Sequence, residues 1–196
     1  MTLRRVAAAA ALILLSANPA IAQGFGYGGK AGMNLFTVSF EQDDALAVSA
    51  KPAIVAGGFV TISLGSHLSA EVDIFYSERK FRFEESDIVD TLGYIELPML
   101  ARFRIVTKEG WNVAAVGGAA VSFLQKAKET ISGTAYDIKD AVRSTETTGV
   151  VGAQVQVGRR LVFDVRYLLG LTDVYAADDF PAKSRGFQIT AGYRVK

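Results

Sequence analysis

From Tyr94 to Val106 the chain reads YIELPMLARFRIV, and every second residue is apolar: Ile95, Leu97, Met99, Ala101, Phe103 and Ile105. Between them stand Tyr94, Glu96, Pro98, Leu100, Arg102 and Arg104. Strict alternation of this kind predicts a strand with one apolar face and one mixed face. The same period recurs along the chain. Eight segments are predicted, separated by turn or loop residues. They run roughly Phe25–Val38, Lys51–Leu64, Leu68–Arg82, Leu92–Val106, Trp111–Lys126, Thr148–Val157, Leu161–Leu171 and Ser184–Val195. No long amphipathic helix is predicted.

The connections fall into two classes. Gly65-Ser66-His67, Thr107-Lys108-Glu109-Gly110 and Gly158-Arg159-Arg160 are short. Ser39–Ala50, Phe83–Thr91, Ala127–Thr147 and Thr172–Lys183 are long and polar. Long and short alternate, so an up-and-down sheet gathers the short turns at one end and the long loops at the other. Bacterial outer-membrane barrels have that layout, with short periplasmic turns and longer extracellular loops. An even strand number puts both termini at the short-turn end.

No charge interrupts the apolar faces Ile54–Leu64, Leu68–Tyr76, Trp111–Phe123, Leu161–Leu171 and Phe187–Val195. The opposite faces carry Lys30, Asn34, Glu71, Asp73, Arg79, Glu96, Arg102, Arg104, Gln154, Gln156, Asp164, Arg166, Gln188 and Arg194 among many glycines. A soluble ligand-binding barrel would turn the apolar face inward, and a membrane barrel would turn it toward lipid. The aromatic residues favour the second arrangement. Phe25, Tyr27, Phe103, Trp111, Phe163 and Tyr193 fall near the short-turn end of the apolar face, and Tyr76, Phe123, Tyr167 and Phe187 toward the other. Two aromatic belts around an aliphatic band are bilayer anchors. Each segment also meets the roughly 9–11 residues that a tilted strand needs to cross. The fold expected is all-β, an eight-stranded antiparallel up-and-down transmembrane β-barrel.

Such a barrel has a bore just wide enough for side chains, and charges inside it need partners. Aligning the ends of the third and fourth segments places Glu71 opposite Arg104, Asp73 opposite Arg102 and Arg79 opposite Glu96. Asp164 is expected diagonal to Arg194, while Arg166 needs an acid or the Gln154 and Gln188 amides. Lys30 has no evident partner from register alone. In so small a bore this ladder reads as a salt-bridged plug rather than a gated ion path. Pro98 lacks a ladder donor and marks a bulge or a gap.

Composition narrows the class. Residues 1–22 have the pattern of a cleaved secretory signal: basic Arg4 and Arg5, the short apolar run AAAAALILLSA, and Ala20-Ile21-Ala22 before Gln23. The barrel domain is then 23–196. Without Arg4 and Arg5 the formal charge falls from +1 to −1, which argues against a nucleic-acid surface. There is no cysteine, so thiol catalysis and cysteine metal sites are excluded. The KAKE run at 126–129 and the later Arg159-Arg160 read as solvated charge clusters.

Three stretches together resemble a known family: GYGGKAGMNLFTV (26–38), YIELPML (94–100) and FDVRYLLGLTDV (163–174). They resemble the first, fourth and seventh strands of the small outer-membrane β-barrel domain family of Gram-negative bacteria, often called porin-like. The resemblance spans nearly the whole chain after residue 22. It implies an eight-stranded outer-membrane barrel, insertion by the barrel-assembly machinery and no catalytic residues. The ending Gly192-Tyr193-Arg194-Val195-Lys196 departs from the terminal aromatic residue that many such barrels carry.

The expected function is a non-enzymatic integral protein of the Gram-negative outer membrane. Its lumen is filled, and its long loops serve surface interaction or envelope integrity. The expected partners are outer-membrane lipid, Sec export, the assembly machinery and an extracellular partner at the loops. No cofactor is expected, and the chain is expected to be monomeric. A narrow diffusion channel is the alternative. A lipid-modifying enzyme fits less well: the single histidine, His67, sits beside Ser66 on a short turn at the end away from the cell surface. The loop acids Glu41, Asp43, Asp44, Asp173, Asp178 and Asp179 match no EF-hand spacing.

Overall fold

The computed structural model describes residues 24–40, 48–83, 88–176 and 182–196. The predicted leader and the loop acids Glu41, Asp43, Asp44, Asp178 and Asp179 lie outside the described residues. The strands are β1 (Phe25–Phe40), β2 (Val48–Ser63), β3 (Leu68–Phe83), β4 (Ile88–Lys108), β5 (Trp111–Ile131), β6 (Thr134–Asp137), β7 (Thr145–Val157), β8 (Leu161–Asp173) and β9 (Ala182–Arg194). All eight predicted segments are strands, and β6 is additional.

Successive strands pair antiparallel from β1 to β6 and from β7 to β9, and two further junctions, β5 with β7 and β1 with β9, close the barrel. β6 pairs only with the upper end of β5, so the wall itself has eight staves. Closure leaves no free sheet edge in the wall, as a span through lipid requires.

The faces sort as the alternation predicts. On β2 Ile54 is 58% exposed and Val55 1%. On β3 Ile74 is 57% exposed and Phe75 fully buried. Apolar residues cover the outside, and the inside holds both large and charged side chains. Glycine makes room for them. Gly57 lies in one rung between Lys30 of β1 and Phe75 of β3, and Gly152 faces Arg166. The absent side chains leave the space that the Phe75 ring and the backbone of Val165 and Arg166 occupy.

The register between β3 and β4 differs from the expected one. Leu68 pairs with Phe103, Ser69 with Arg102, Phe75 with Glu96 and Arg79 with Leu92. Face parity is as expected, but β4 is displaced by four residues. Aligning strand ends ignores the stagger that closing a tilted barrel imposes. Pro98 interrupts the β3–β4 ladder between the Val72–Met99 and Phe75–Glu96 rungs without a register shift, so it makes a gap and not a bulge.

The long-loop end contains more structure than its polar sequence suggests. β4 and β5 each run 21 residues, against 13 for β7, β8 and β9. A crossing needs about 9–11, so these two staves rise well beyond the apolar band. Most of the expected Ala127–Thr147 loop is therefore hairpin. β5 runs on to Ile131 and turns through Ser132 and Gly133, both at positive φ, into β6. A bulge hides this in the sequence. Gly93 pairs with Lys126 and Tyr94 with Leu124, leaving Gln125 as the extra residue. Below it the even-numbered residues Ala120, Ser122 and Leu124 are buried, and above it Ala127 is. The alternation changes phase there, and the KAKE charges look like loop.

The upper interior is apolar. Phe36, Val38, Phe81, Leu92, Leu124, Ala127, Val142, Val174 and Ala182 belong to one buried cluster. Val142 and Val174 come from the connections on either side of β7 and β8. These connections fold over the mouth, where Val142 bridges Tyr175 and Arg143 donates its N–H to the Val174 carbonyl at 2.8 Å.

A Cβ at Gly152 would stand 2.3 Å from the Val165 carbonyl oxygen and 2.8 Å from Arg166 Cα. Gly152→Val is therefore expected to cost about 1–3 kcal/mol or more through overpacking. Loss of the fast-migrating folded band in a semi-native gel checks this.

Candidate functional site in the barrel lumen

Two charged clusters lie inside the barrel, one above the other. The lower one centres on Lys30 of β1. Its ammonium is 2.6 Å from Glu71 Oε1, 3.1 Å from Asp164 Oδ2 and 3.6 Å from Asp73 Oδ1. Arg166 of β8 reaches Asp73 at 2.5 Å, Glu71 at 2.8 Å and Asp164 at 3.2 Å. Arg102 of β4 lies 3.5 Å from Glu71 and donates to the Gln154 amide oxygen. The Gln154 amide in turn donates to Asp164 at 2.9 Å. Three cations thus meet three carboxylates, contributed by β1, β3, β4 and β8. All six groups are buried. A buried charge without a partner is costly, and here the formal charges cancel.

The upper cluster is built around Arg79, which is 0% exposed. It donates to Glu146 at 2.6 Å, to Glu96 at 3.1 Å and to Ser184 at 3.1 Å. Ser184 also donates to Glu146, and Gln188 donates to Glu96 at 3.2 Å. The guanidinium lies 4.5 Å from the ring centre of Phe36 and 4.8 Å from that of Tyr94. Such cation–π packing is stronger when desolvated. Above this cluster sits the apolar cap.

The expected luminal residues are thus placed as follows. Arg79 and Glu96 meet, but diagonally rather than face to face. Glu71 meets Lys30 and Arg166, and Arg102 more distantly, rather than Arg104. Asp73 meets Arg166 instead of Arg102. Arg104 is exposed at the short-turn end and donates to the Ser66 carbonyl at 3.2 Å. Asp164 pairs in register with Thr190, and Arg194 lies two inward rungs lower, near the mouth. The stagger between staves explains each displacement. The expected belt residues Phe25, Tyr27, Phe103, Trp111, Phe163, Phe187 and Tyr193 are exposed on the outer face, and Tyr76, Phe123 and Tyr167 are half-buried there.

Sequence reading missed Glu146, which it placed in a loop. Counting the β7 parity back from Thr148 would have turned it inward. It also missed the cap contact between Tyr175 and Asp90, for which no local signal exists. The Tyr175 hydroxyl donates to Asp90 Oδ2 at 2.8 Å. Asp90 lies on the extension of β4 above the apolar band, level with Phe81. Burial pushes its carboxyl up to about 6, partly offset by the Tyr175 hydrogen bond.

The model of the outer membrane protein beta-barrel domain family matches residues 17–176. The chain belongs to that family. As members are, it is a β-barrel protein of the Gram-negative outer membrane. Among solved structures, the chain is similar to Ail, the attachment invasion locus protein of Yersinia pestis, at 19% identity. That match covers 87% of this chain and 98% of that one, with a TM-score of 0.48. Neisserial surface protein A matches at 15% identity over 88% and 97% of the two chains, with a TM-score of 0.48. OprG from Pseudomonas aeruginosa matches at 10% identity over 87% and 95%, with a TM-score of 0.43. No curated protein matches.

Two outcomes follow from the site. Lys30→Met leaves the lower carboxylates short of one cation and is expected to cost about 3–5 kcal/mol. Adding Glu71→Gln restores neutrality and should recover part of that loss, as read from urea unfolding in lipid vesicles. The Asp90 carboxyl is held above its ordinary value, so the folded state binds the proton more tightly. Its contribution to stability is therefore fully present below about pH 4, falls as pH rises through about 6 and is absent above that. The urea midpoint difference between wild type and Asp90→Asn, measured at pH 5 and pH 8, should show wild type losing more stability at the higher pH.

Proposed function

We propose that the protein is a non-enzymatic surface barrel with a closed lumen, whose outer end makes contacts outside the cell. One observation carries this reading: the bore is blocked twice in series, by the neutral Lys30 network and by the Arg79 cluster under its apolar cap. An eight-stranded bore leaves little width beyond its side chains. The extended β4–β5 pair and β6 supply a rigid outer platform. Tyr136, 51% exposed on β6, stands there with the exposed Ile131. Loops on a rigid scaffold are common binding surfaces.

The same reading has the chain exported by the Sec route, inserted by the barrel-assembly machinery and held in outer-membrane lipid as a monomer. An enzymatic role gains little support from Ser66 and His67. Their side chains lie 2.9 Å apart through His67 Nδ1, both exposed, and the His67 ring stacks on Phe103 at 6.2 Å. A nucleophile and base on adjacent turn residues lack the third group that orients a catalytic histidine, and they sit at the periplasmic end.

Planar-bilayer recording separates a closed barrel from a diffusion channel. Purified protein is expected to give no stable openings. Steady steps of nanosiemens size would overturn the closed-lumen reading.

A further inference from the structure

The KAKE run does not belong to a solvated loop. The bulge at Gln125 changes the phase of β5, so Lys126 and Lys128 both point outward from the barrel wall. Bulges commonly re-aim side chains in this way. Across β4 the outward positions in the same rungs are Gly93 and Thr91, and beyond them on β3 are Glu78 and Lys80. Lys126 Nζ lies 3.5 Å from Glu78 Oε1, Lys80 Nζ lies 3.6 Å from Glu78 Oε2, and the Tyr76 hydroxyl donates to Glu78 at 2.9 Å. Gly93 makes this convergence possible. A Cβ there would stand 3.0 Å from the Tyr76 hydroxyl and 3.5 Å from Lys126 Cβ.

The result is a shallow cradle over β4 and β5 with three lysines and two carboxylates, Glu78 between Lys80 and Lys126 and Asp137 of β6 in register with Lys128. Glu78 holds two of the ammonium groups in place but neutralises only one charge. The Lys80 and Lys126 side chains remain 35% and 40% exposed, against 11% for Glu78, and Lys128 is exposed. The opposite stave, β9, offers Arg185 at a comparable level, with Lys183 paired in register to Asp173.

Height selects the ligand. Tyr76 tops the apolar band on β3. Two residues of a tilted strand rise about 5 Å, so Glu78 and Lys126 lie about 5 Å above the ring and Lys80 and Lys128 about 10 Å above it. The polar zone of a bilayer extends about 5–8 Å beyond the hydrocarbon on each side. Lys126 therefore stands at the level of lipid headgroups on the long-loop side, and Lys80 and Lys128 stand just above it with side chains long enough to reach down, where clustered lysines attract anionic lipid.

We propose that Lys80, Lys126 and Lys128, organised by Glu78 on the outer wall of β3–β5, form a binding site for the phosphate groups of an outer-leaflet lipid headgroup. The site uses none of the luminal residues. It requires only that the long-loop end face outward, and it stands whether or not the lumen conducts.

The test uses the full barrel in dodecyl maltoside, titrated with bisphosphorylated lipid A, with bound lipid counted by native mass spectrometry. The triple variant Lys80→Gln, Lys126→Gln, Lys128→Gln is expected to bind at least tenfold more weakly. The triple arginine variant should stay within about twofold of wild type, and Arg185→Gln on the opposite wall should change nothing. Dephosphorylated lipid A should bind at least tenfold more weakly to wild type. Heat-modifiable migration verifies that each variant is folded. If the triple glutamine variant does not fold, Lys128→Gln alone, which breaks no bond to Glu78, should weaken binding about threefold. Wild-type affinity in a folded glutamine variant, or equal affinity for dephosphorylated lipid A, overturns the site. Inorganic phosphate displacing the lipid at equal concentration would assign the site to a soluble anion and overturn the lipid reading.

Discussion

Everything inside this barrel follows from the need to fill a narrow bore without leaving a charge alone. Eight staves enclose a space that side chains can pack but water barely enters. Glu71, Asp73 and Asp164 can be tolerated there only beside Lys30, Arg102 and Arg166. The six groups come from four staves, and Lys30 and Arg166 bond across the bore rather than along one hairpin. The network therefore ties distant parts of the wall together. Gly57 serves the same end, since its missing side chain makes room for the Phe75 ring.

The molecule is uneven in height. β7, β8 and β9 are little longer than a crossing demands, whereas β4 and β5 continue far above it. That extension creates an upper interior that water could reach, and its inward residues are apolar: Phe81, Leu92, Leu124 and Ala127. The connections through Val142 and Val174 cover them. The same extension has an outer surface. There the apolar face of the crossing gives way to Glu78, Lys80, Lys126 and Lys128. One pair of long strands thus builds both the closure of the lumen and a charged shelf at the membrane surface.

The bulge at Gln125 shows how a single residue divides these roles. Without it Lys126 and Lys128 would point toward the cap, where two ammonium groups would meet buried apolar side chains. With it Ala127 takes the inward place and the lysines turn out. The change of phase also makes the charges look like loop in the sequence, because alternation is legible only while its parity holds.

The sequence by itself determined the number of staves in the wall, the two faces, the sorting of aromatic residues to the two ends and the inward position of every lower-network charge. These depend on a period of two, which is a local property of extended backbone. The partners of those charges were decided only by tertiary structure. Glu71 meets Lys30 and Arg166, not Arg104, because closing a tilted barrel staggers neighbouring staves and brings remote ones together across the bore. Glu146 and the Tyr175–Asp90 contact were hidden for a related reason. They belong to the region where long strands and their connections fold over the mouth, and no local pattern records which residues that closure brings into contact.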